Sequence, residues 1–124
     1  MKKIIDTKDA PAAIGPYSQG VEKGGIVITS GQLPINAETG EMPVGIVEQT
    51  VQSLENCKKI LEADGIGLKS VIKTTVYLSD MNHFAAMNDV YKRYFTNDYP
   101  ARSAVEVARL PKDALVEIEC IAVR

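Results

Sequence analysis

Arg102 is the side chain whose type and position most clearly suggest chemistry. It follows Tyr99-Pro100-Ala101 at the start of a predicted strand. A planar guanidinium that is partly removed from water binds a carboxylate through two parallel hydrogen bonds, so Arg102 is suited to anchor an acidic substrate at a subunit boundary. An ion pair between Arg102 and Glu117 or Glu119 explains the same residues without any ligand, and composition and spacing alone favour that ion pair.

Two carboxylates, Glu117 and Glu119, stand two residues apart in an alternating segment near the end of the chain. Residues at this spacing lie on one face of a strand, about 7 Å apart. A pair of this kind can divide acid and base roles, as in glycoside hydrolysis. The same spacing is common on solvated strands, and Glu106 on a neighbouring predicted strand adds a third acid. The acids are candidates for proton transfer, but their spacing does not define an active site.

Other common catalytic and metal sites find no support in the sequence. His83 is the only histidine, and no carboxylate stands at a ligand spacing from it, so neither a metal site nor a Ser-His-Asp triad is predicted. Cys57 and Cys120 fall on apolar faces of a helix and a strand, which predicts that both are core residues. Neither a phosphate-binding nor a dinucleotide-binding glycine motif is present.

Two loop segments, 13–20 and 29–32, combine hydroxyl groups with glycines. Such residues supply hydrogen bonds to a ligand, but they are also ordinary turn residues. The loops are therefore candidates for a binding site only in combination with Arg102 or the acids.

Two helices and six strands are predicted to position these residues. Apolar residues recur at three- and four-residue steps over 46–64, before Gly65, and again over 82–97, where Asp80 or Asn82 caps the start. Alternation and β-branched residues predict strands over 2–6, 18–22, 26–30, 71–78, 102–108 and 115–123, with a Lys23-Gly24-Gly25 turn between the second and third. The order β-β-β-α-β-α-β-β predicts one α+β domain over residues 1–124, with a six-stranded mixed sheet.

Two helices can cover only one face of such a sheet. Alternation assigns to that face Val116, Ile118, Cys120 and Ala122 of the last strand, and Ser103, Val105 and Val107 of the strand before it. The opposite face then carries Leu115, Glu117, Glu119, Ile121 and Val123 together with Arg102, Ala104, Glu106 and Ala108. The aliphatic members of this mixed face predict contact with another subunit, because a contiguous apolar patch needs cover.

Length and charge limit the class of protein. The 124 residues include 14 basic and 16 acidic side chains, for a net charge of −2, which argues against a protein that mainly neutralises phosphates. No apolar run approaches the ~20 residues of a membrane-spanning helix. Asp6 and Lys8 interrupt any apolar segment of a secretory signal, and two distant cysteines form no disulfide framework. The expected protein is cytoplasmic and has neither a membrane nor a nucleic acid as its partner.

Four segments together resemble one protein family. They are Ala10–Gly20 (APAAIGPYSQG), Thr29–Pro34 (TSGQLP), Pro100–Asp113 (PARSAVEVARLPKD) and Val116–Glu119 (VEIE). Over essentially its whole length the chain resembles the Rid family of reactive-intermediate deaminases, and the arginine at position 102 resembles that of its RidA group. The resemblance implies a chorismate-mutase-like fold, a homotrimer with sites in the clefts between subunits, and no cofactor. The implied reaction is hydrolysis of enamines and imines, such as 2-aminoacrylate, 2-iminopropanoate and 2-iminobutanoate, to 2-oxo acids and ammonia.

The resemblance also implies roles for individual residues. Arg102 would clamp the substrate carboxylate with help from the backbone around Ser30 and Gly31. Glu117 would hold and polarise the attacking water or pass protons. Two further residues would bind the substrate from the side of the cleft: Tyr17 as a shield and Asn88 as part of the polar rim.

Ala104 is implied as a substrate-binding residue but departs from the family pattern, because many relatives have cysteine there. A main-chain carbonyl survives this change and a thiol does not, so thiol-dependent mechanisms are not expected, whereas hydrolysis by water is.

Two other functions of the protein stay open. One is a non-catalytic sensor that binds 2-oxo acids or other small carboxylates through Arg102 without needing Glu117. The other is the endoribonuclease or translation-inhibitor activity ascribed to some relatives, for which the sequence lacks a basic, aromatic-rich stripe.

Overall fold

The computed structural model describes all residues from Met1 to Arg124 and has the predicted order of elements. The strands are β1 (Lys3–Ile5), β2 (Gly20–Lys23), β3 (Ile26–Thr29), β4 (Val71–Leu78), β5 (Ala101–Glu106) and β6 (Val116–Val123), and the helices are α1 (Ile46–Ala63) and α2 (Phe84–Tyr94). One mixed sheet runs in the order β1-β2-β3-β6-β4-β5, in which only β4 and β5 are parallel. The predicted α+β fold is confirmed.

The core lies between the two helices and one face of the sheet. Every second residue of β6, from Val116 to Ala122, is at most 1% exposed. Leu54, Cys57 and Ile60 of α1 pack in the same cluster and are fully buried. The alternation predicted for the last strand, the helical period over 46–64 and the core positions of Cys57 and Cys120 are confirmed.

A two-residue turn joins β2 to β3, as predicted. Gly24 and Gly25 both have positive φ, of 59° and 85°, between the paired residues Lys23 and Ile26. A hairpin turn with positive φ at both central positions matches the twist of the strands that it joins, and glycine adopts it without steric cost.

The second helix is shorter than its pattern. A 3-10 turn over Met81–His83 precedes α2, and Asp80 caps it by accepting a hydrogen bond of 2.8 Å from the main-chain N–H of Asn82. The helix ends at Tyr94 because Phe95 is extended. Helix ends commonly tighten or fray in this way, so the apolar pattern extends beyond the helix itself.

The prediction of which face of β5 meets the helices was wrong. Ala104 packs against the core, while Val105 is 44% exposed on the other face of the sheet and Ser103 is also exposed. β5 is the last strand of the sheet, so charged side chains on its helix side can reach solvent past the edge. Arg102 lies over the aromatic rings of α2, and Glu106 accepts a hydrogen bond from the main chain just before that helix.

The other face of the sheet is uncovered within the chain. Five aliphatic side chains on it are between 41% and 51% exposed: Ile4, Ile26, Ile28, Val105 and Val123. Half-buried Glu117 and Glu119 lie on the same face, so its mixed aliphatic and charged character is as predicted, apart from the contribution of β5. We call this surface the open face. Neither α1 nor α2 has the length and apolar character that crossing a membrane requires.

Asp64, the residue after α1, forms ion pairs with residues near both ends of the chain. Its fully buried carboxylate pairs with Lys3 Nζ at 2.6 Å and with Arg124 Nη2 at 2.7 Å. Arg124 also donates to the main-chain carbonyl of Asp64. The pKa of Asp64 is held below its ordinary value, mainly by the hydrogen bond from Lys3 and also by Arg124, against the opposing effect of burial.

We expect Asp64→Asn to lower the free energy of unfolding by about 1–3 kcal/mol at neutral pH. A depressed pKa stabilises the fold only while the carboxylate is ionised. The difference between wild type and variant should therefore shrink as the pH falls from about 4, the unfolded value, through the lower folded value. Thermal unfolding at fixed protein concentration measures this, with Asp89→Asn, which removes an exposed ion pair, as control. A difference that stays constant at acid pH would contradict the assignment.

Candidate functional site

The largest cavity of the chain, about 440 Å³, brings together four of the predicted site residues. Tyr17 comes from the loop before β2, Ser30 and Gly31 from the segment after β3, and Glu117 from the open face of β6. Lys112, from the loop between β5 and β6, is the only other charged residue on its walls. The structure therefore unites the two glycine-containing loops with one of the two candidate acids.

Gln19 orders the loop that precedes β2. Its buried side chain accepts a hydrogen bond of 2.7 Å from the main-chain N–H of Thr7 and donates one of 2.8 Å to the Pro11 carbonyl. Ser30 Oγ donates to the Ser18 carbonyl at 2.6 Å, which ties the loop to the end of β3. Sequence reasoning missed the role of Gln19, although this residue stands in one of the motifs, because a loop glutamine carries no periodic sign of burial.

Glu117 lies directly on the backbone of Gly31. Main-chain hydrogen bonds of 2.7 and 3.2 Å between Gln32 and Ile118 hold the segment after β3 alongside β6. A β-carbon at position 31 would stand 2.7 Å from a carboxylate oxygen of Glu117 and 2.8 Å from its carboxyl carbon. These distances are shorter than nonbonded contacts allow, so glycine is the residue that lets the Glu117 carboxylate occupy this place.

The environment of Glu117 favours its neutral form. Burial raises the pKa of the Glu117 carboxyl, and the nearby Glu119 carboxylate raises it further. Glu117 takes part in none of the ion pairs of the chain, so no cation offsets this effect. A half-buried carboxylate with a raised pKa is a stronger base than an exposed one and can exchange protons with a ligand in the cavity.

Arg102 lies in a second cleft, of about 390 Å³, beside α2. Its Nη1 donates to Asn88 Oδ1 at 2.7 Å, and the guanidinium carbon lies 4.7 Å from the centre of the Tyr91 ring. A hydrogen bond of 2.7 Å between Tyr91 and Thr74 fixes that ring in turn. Asn88 and Tyr91 thus orient the guanidinium while its other N–H donors remain free for a ligand.

Arg102 and Glu117 are too far apart to share a ligand within one chain. Across β4, Arg102 is level with Cys120, which places it two strands and three residues from Glu117. Spacings of ~4.8 Å between strands and ~3.3 Å per residue put the two α-carbons about 14 Å apart. They also lie on opposite faces of the sheet. The ion pair of Arg102 with Glu117 or Glu119, which the sequence left open, is not formed within the chain.

Ala104 presents its main-chain groups at the edge of the sheet. The N–H of Val107 donates to the Leu78 carbonyl at 2.9 Å. In a parallel pair of strands, alternate residues turn their N–H and C=O toward the neighbour, so those of Arg102 and Ala104 point away from β4. Because β5 has no strand on its other side, the Ala104 carbonyl faces outward at this edge.

The chain is similar to known proteins over nearly its whole length. The family model described as endoribonuclease L-PSP matches residues 7–124. The 2-iminobutanoate/2-iminopropanoate deaminase of Escherichia coli K12 is 54% identical over 127 residues, covering 100% of this chain and 99% of that protein. The crystal structure of E. coli TdcF with bound serine matches with a TM-score of 0.96 at 53% identity, covering 98% of both chains.

RidA from an Antarctic Psychrobacter bacterium matches equally well in structure, with a TM-score of 0.96 at 46% identity, covering 98% of this chain and 99% of that one. The family model covers residues 7–124, and these relatives and solved structures cover at least 98% of the chain. The chain therefore belongs to the endoribonuclease L-PSP family, which is the Rid family that its four motifs resemble.

Proposed function

We propose that this protein hydrolyses 2-iminopropanoate and 2-iminobutanoate, together with enamines such as 2-aminoacrylate, to 2-oxo acids and ammonia. The E. coli relative that is 54% identical over its full length is named for this activity. The observation in the molecule that carries the proposal is Glu117, a half-buried carboxylate without an ion-pair partner, on the wall of a cavity with Tyr17, Ser30 and Gly31. A base so placed can activate water next to a bound imine.

The reaction needs only water as the nucleophile and Glu117 to transfer protons. The enamine first tautomerises to the imine. Water then adds to the imine carbon: its oxygen forms the new C–O bond, the C=N electron pair moves to nitrogen, and Glu117 carries a proton from the water to that nitrogen. Glu117 then transfers the hydroxyl proton to the nitrogen, which makes the nitrogen a leaving group. The C–N bond breaks as the oxygen forms C=O, and ammonia departs. These imines also hydrolyse unaided, so orientation and a modest electrostatic contribution suffice, without a cofactor.

The complete site is formed between subunits of a homotrimer in this proposal. Arg102 and Glu117 lie on opposite faces of one sheet, so a cleft that contains both needs Arg102 from one chain and Glu117 from another. The exposed aliphatic residues of the open face support association, because an apolar patch of this kind is stabilised by cover. Asn88 orients Arg102, and Ala104 offers its carbonyl at the same boundary.

The substrate contacts follow from this arrangement. Arg102 binds the carboxylate of the imino acid through two parallel hydrogen bonds, assisted by the backbone of Ser30 and Gly31. Tyr17, on the rim of the cavity, shields the imine from bulk water. Glu117, which lies against Gly31, faces the imine carbon. The protein acts in the cytoplasm, and its two buried, unpaired thiols are typical of that reducing compartment.

A carboxylate-binding sensor is the second candidate. The solved relative TdcF is described with bound serine, an amino acid that carries the same carboxylate group as an imino acid. A sensor would use Arg102 in the same way but would not need the Glu117 base. An RNA-directed activity, which the family description names, has less support, because the chain has a net charge of −2 and its main cavity carries a single lysine.

The proposal is tested by generating 2-aminoacrylate from serine with a pyridoxal-phosphate enzyme and trapping the remaining imine with semicarbazide. The protein should lower the trapped fraction in proportion to its concentration. Sedimentation equilibrium should give three times the 13.5 kDa mass of one chain. Binding of pyruvate without any loss of imine would establish the sensor instead, and a monomer at micromolar concentration would refute the shared site.

A further inference from the structure

The cavity that contains Glu117 extends beyond the residues assigned to the reaction. Its volume within one chain is about 440 Å³, and in the proposed trimer the neighbouring subunit that supplies Arg102 takes up part of it. Apolar side chains form much of the remaining wall, among them Ile14, Leu33 and Ile35. We expect the wall residues outside the reacting centre to determine which substrate side chains the site accepts.

Lys112 is the only cation on the walls of this cavity. It forms no ion pair with Glu117 or with any other acid of the chain. The pKa of Glu117 is accordingly raised by burial and by Glu119, with no opposing effect from Lys112. The ammonium group is therefore separate from the base and free to bind an anionic group of a ligand.

The loop holds Lys112 in an unusual backbone conformation. Lys112 and Asp113 both have left-handed φ values, of 57° and 56°, which few residues other than glycine adopt. Arg109 holds the turn through two hydrogen bonds to the Asp113 carboxylate, of 2.7 and 3.2 Å. Buried Leu110 and Ala114 anchor it on both sides. Lys112 thus stands on the cavity wall within a turn whose ends are buried.

We infer that Lys112 extends the substrate range to 2-imino dicarboxylates by binding the carboxylate at the end of the substrate side chain. The inference rests on the proposed deaminase activity and adds a second anchor to it. Arg102 holds the carboxylate next to the imine, and exposed Lys112, on the cavity wall, holds the distal one. The reactions that supply such substrates are oxidations of amino acids with acidic side chains.

The test compares 2-iminosuccinate with 2-iminopropanoate, generated from aspartate and alanine by amino-acid oxidases and trapped with semicarbazide. Lys112→Met keeps the unbranched stem and removes the charge. We expect it to lower kcat/KM for 2-iminosuccinate about tenfold and to change kcat/KM for 2-iminopropanoate less than about twofold. Lys69→Met is the matched control, because Lys69 is exposed, forms no ion pair and lies outside the cavity.

Binding of products provides a measurement that does not depend on turnover. By calorimetry, wild type should bind oxaloacetate, the product of 2-iminosuccinate, about tenfold more tightly than Lys112→Met does, while both bind pyruvate equally. Equal losses on both imines would mean that Lys112 binds the carboxylate they share, and no loss on either would mean that it is a surface lysine. Either result overturns the inference and leaves the deaminase activity standing. If wild type hydrolyses neither imine, the proposed function fails, and the binding comparison alone decides the role of Lys112.

Discussion

Arg102→Ala is expected to lower kcat/KM for 2-iminopropanoate by about 10²–10³-fold while leaving the fold unchanged. The guanidinium takes part in no ion pair, and it is oriented by Asn88 and Tyr91 with several N–H donors free. Its loss therefore removes a charged, two-point anchor for the substrate carboxylate and leaves little else disturbed. The measurement is the imine-trapping assay with circular dichroism as the check on folding.

Two further variants sharpen the result. Arg102→Lys should remain at least about tenfold impaired, because a single ammonium cannot form two parallel hydrogen bonds with a carboxylate. Arg93→Ala is the control. Arg93 is an exposed arginine that forms no ion pair, and it lies on α2, the helix that orients Arg102. A folded Arg102→Ala protein with near-normal rates would remove Arg102 from the site.

Glu117→Gln is expected to lower kcat by about 10²–10³-fold while the affinity for pyruvate changes little. Glutamine keeps the size and much of the hydrogen bonding of the side chain, so it can still rest on Gly31, but it cannot take a proton from water. Steady-state kinetics combined with pyruvate calorimetry separates the two effects. A collapse of pyruvate affinity with kcat preserved at saturation would make Glu117 an organiser of the binding site and remove it as the base.

The pH dependence of kcat independently tests the role of Glu117 as the base. Because burial and Glu119 raise its pKa, kcat should decline on the acid side at a pH above the ordinary carboxylate value of about 4.3. Glu119→Gln removes a negative charge next to Glu117, so it should lower the pKa of Glu117 and move that decline to lower pH. Glu117→Gln should abolish the decline. An acid limb that is the same in all three proteins would assign it to another group.

Mixing the two inactive proteins tests whether the site is shared. If one subunit supplies Arg102 and its neighbour supplies Glu117, each trimer that contains both variants holds one intact site. Random assembly of equal amounts of Arg102→Ala and Glu117→Gln chains then restores about a quarter of the wild-type activity. A site built within one chain would show no recovery, since every chain would lack one of the two groups.

The local structure of this protein followed from its sequence. The two helices, the six strands and their order were predicted, and so were the glycine turn after β2 and the buried alternate residues of β6. These features depend on interactions between residues close in the chain, and their periods of two and 3.6 residues are visible in the residue types themselves. Tyr17, Ser30, Gly31 and Glu117, which the motifs singled out, also lie together in the structure.

Tertiary structure decided on which face of the sheet each site residue lies and which residues it contacts. Alternation divides β5 into two sets of residues, but it does not say which set is inside, and small Ala104 and charged Arg102 face the helices because β5 lies at the sheet edge beside the aromatic rings of α2. Lys112 lines the cavity from a turn in which it and Asp113 have left-handed φ values, and no period in the sequence indicates that turn. Likewise, alternation placed Arg102 and Glu117 on one face of the sheet, and the family resemblance placed them in one cleft between subunits. Within the chain they lie on opposite faces, and β4 separates their strands. Which strands become neighbours is not recorded in any local period.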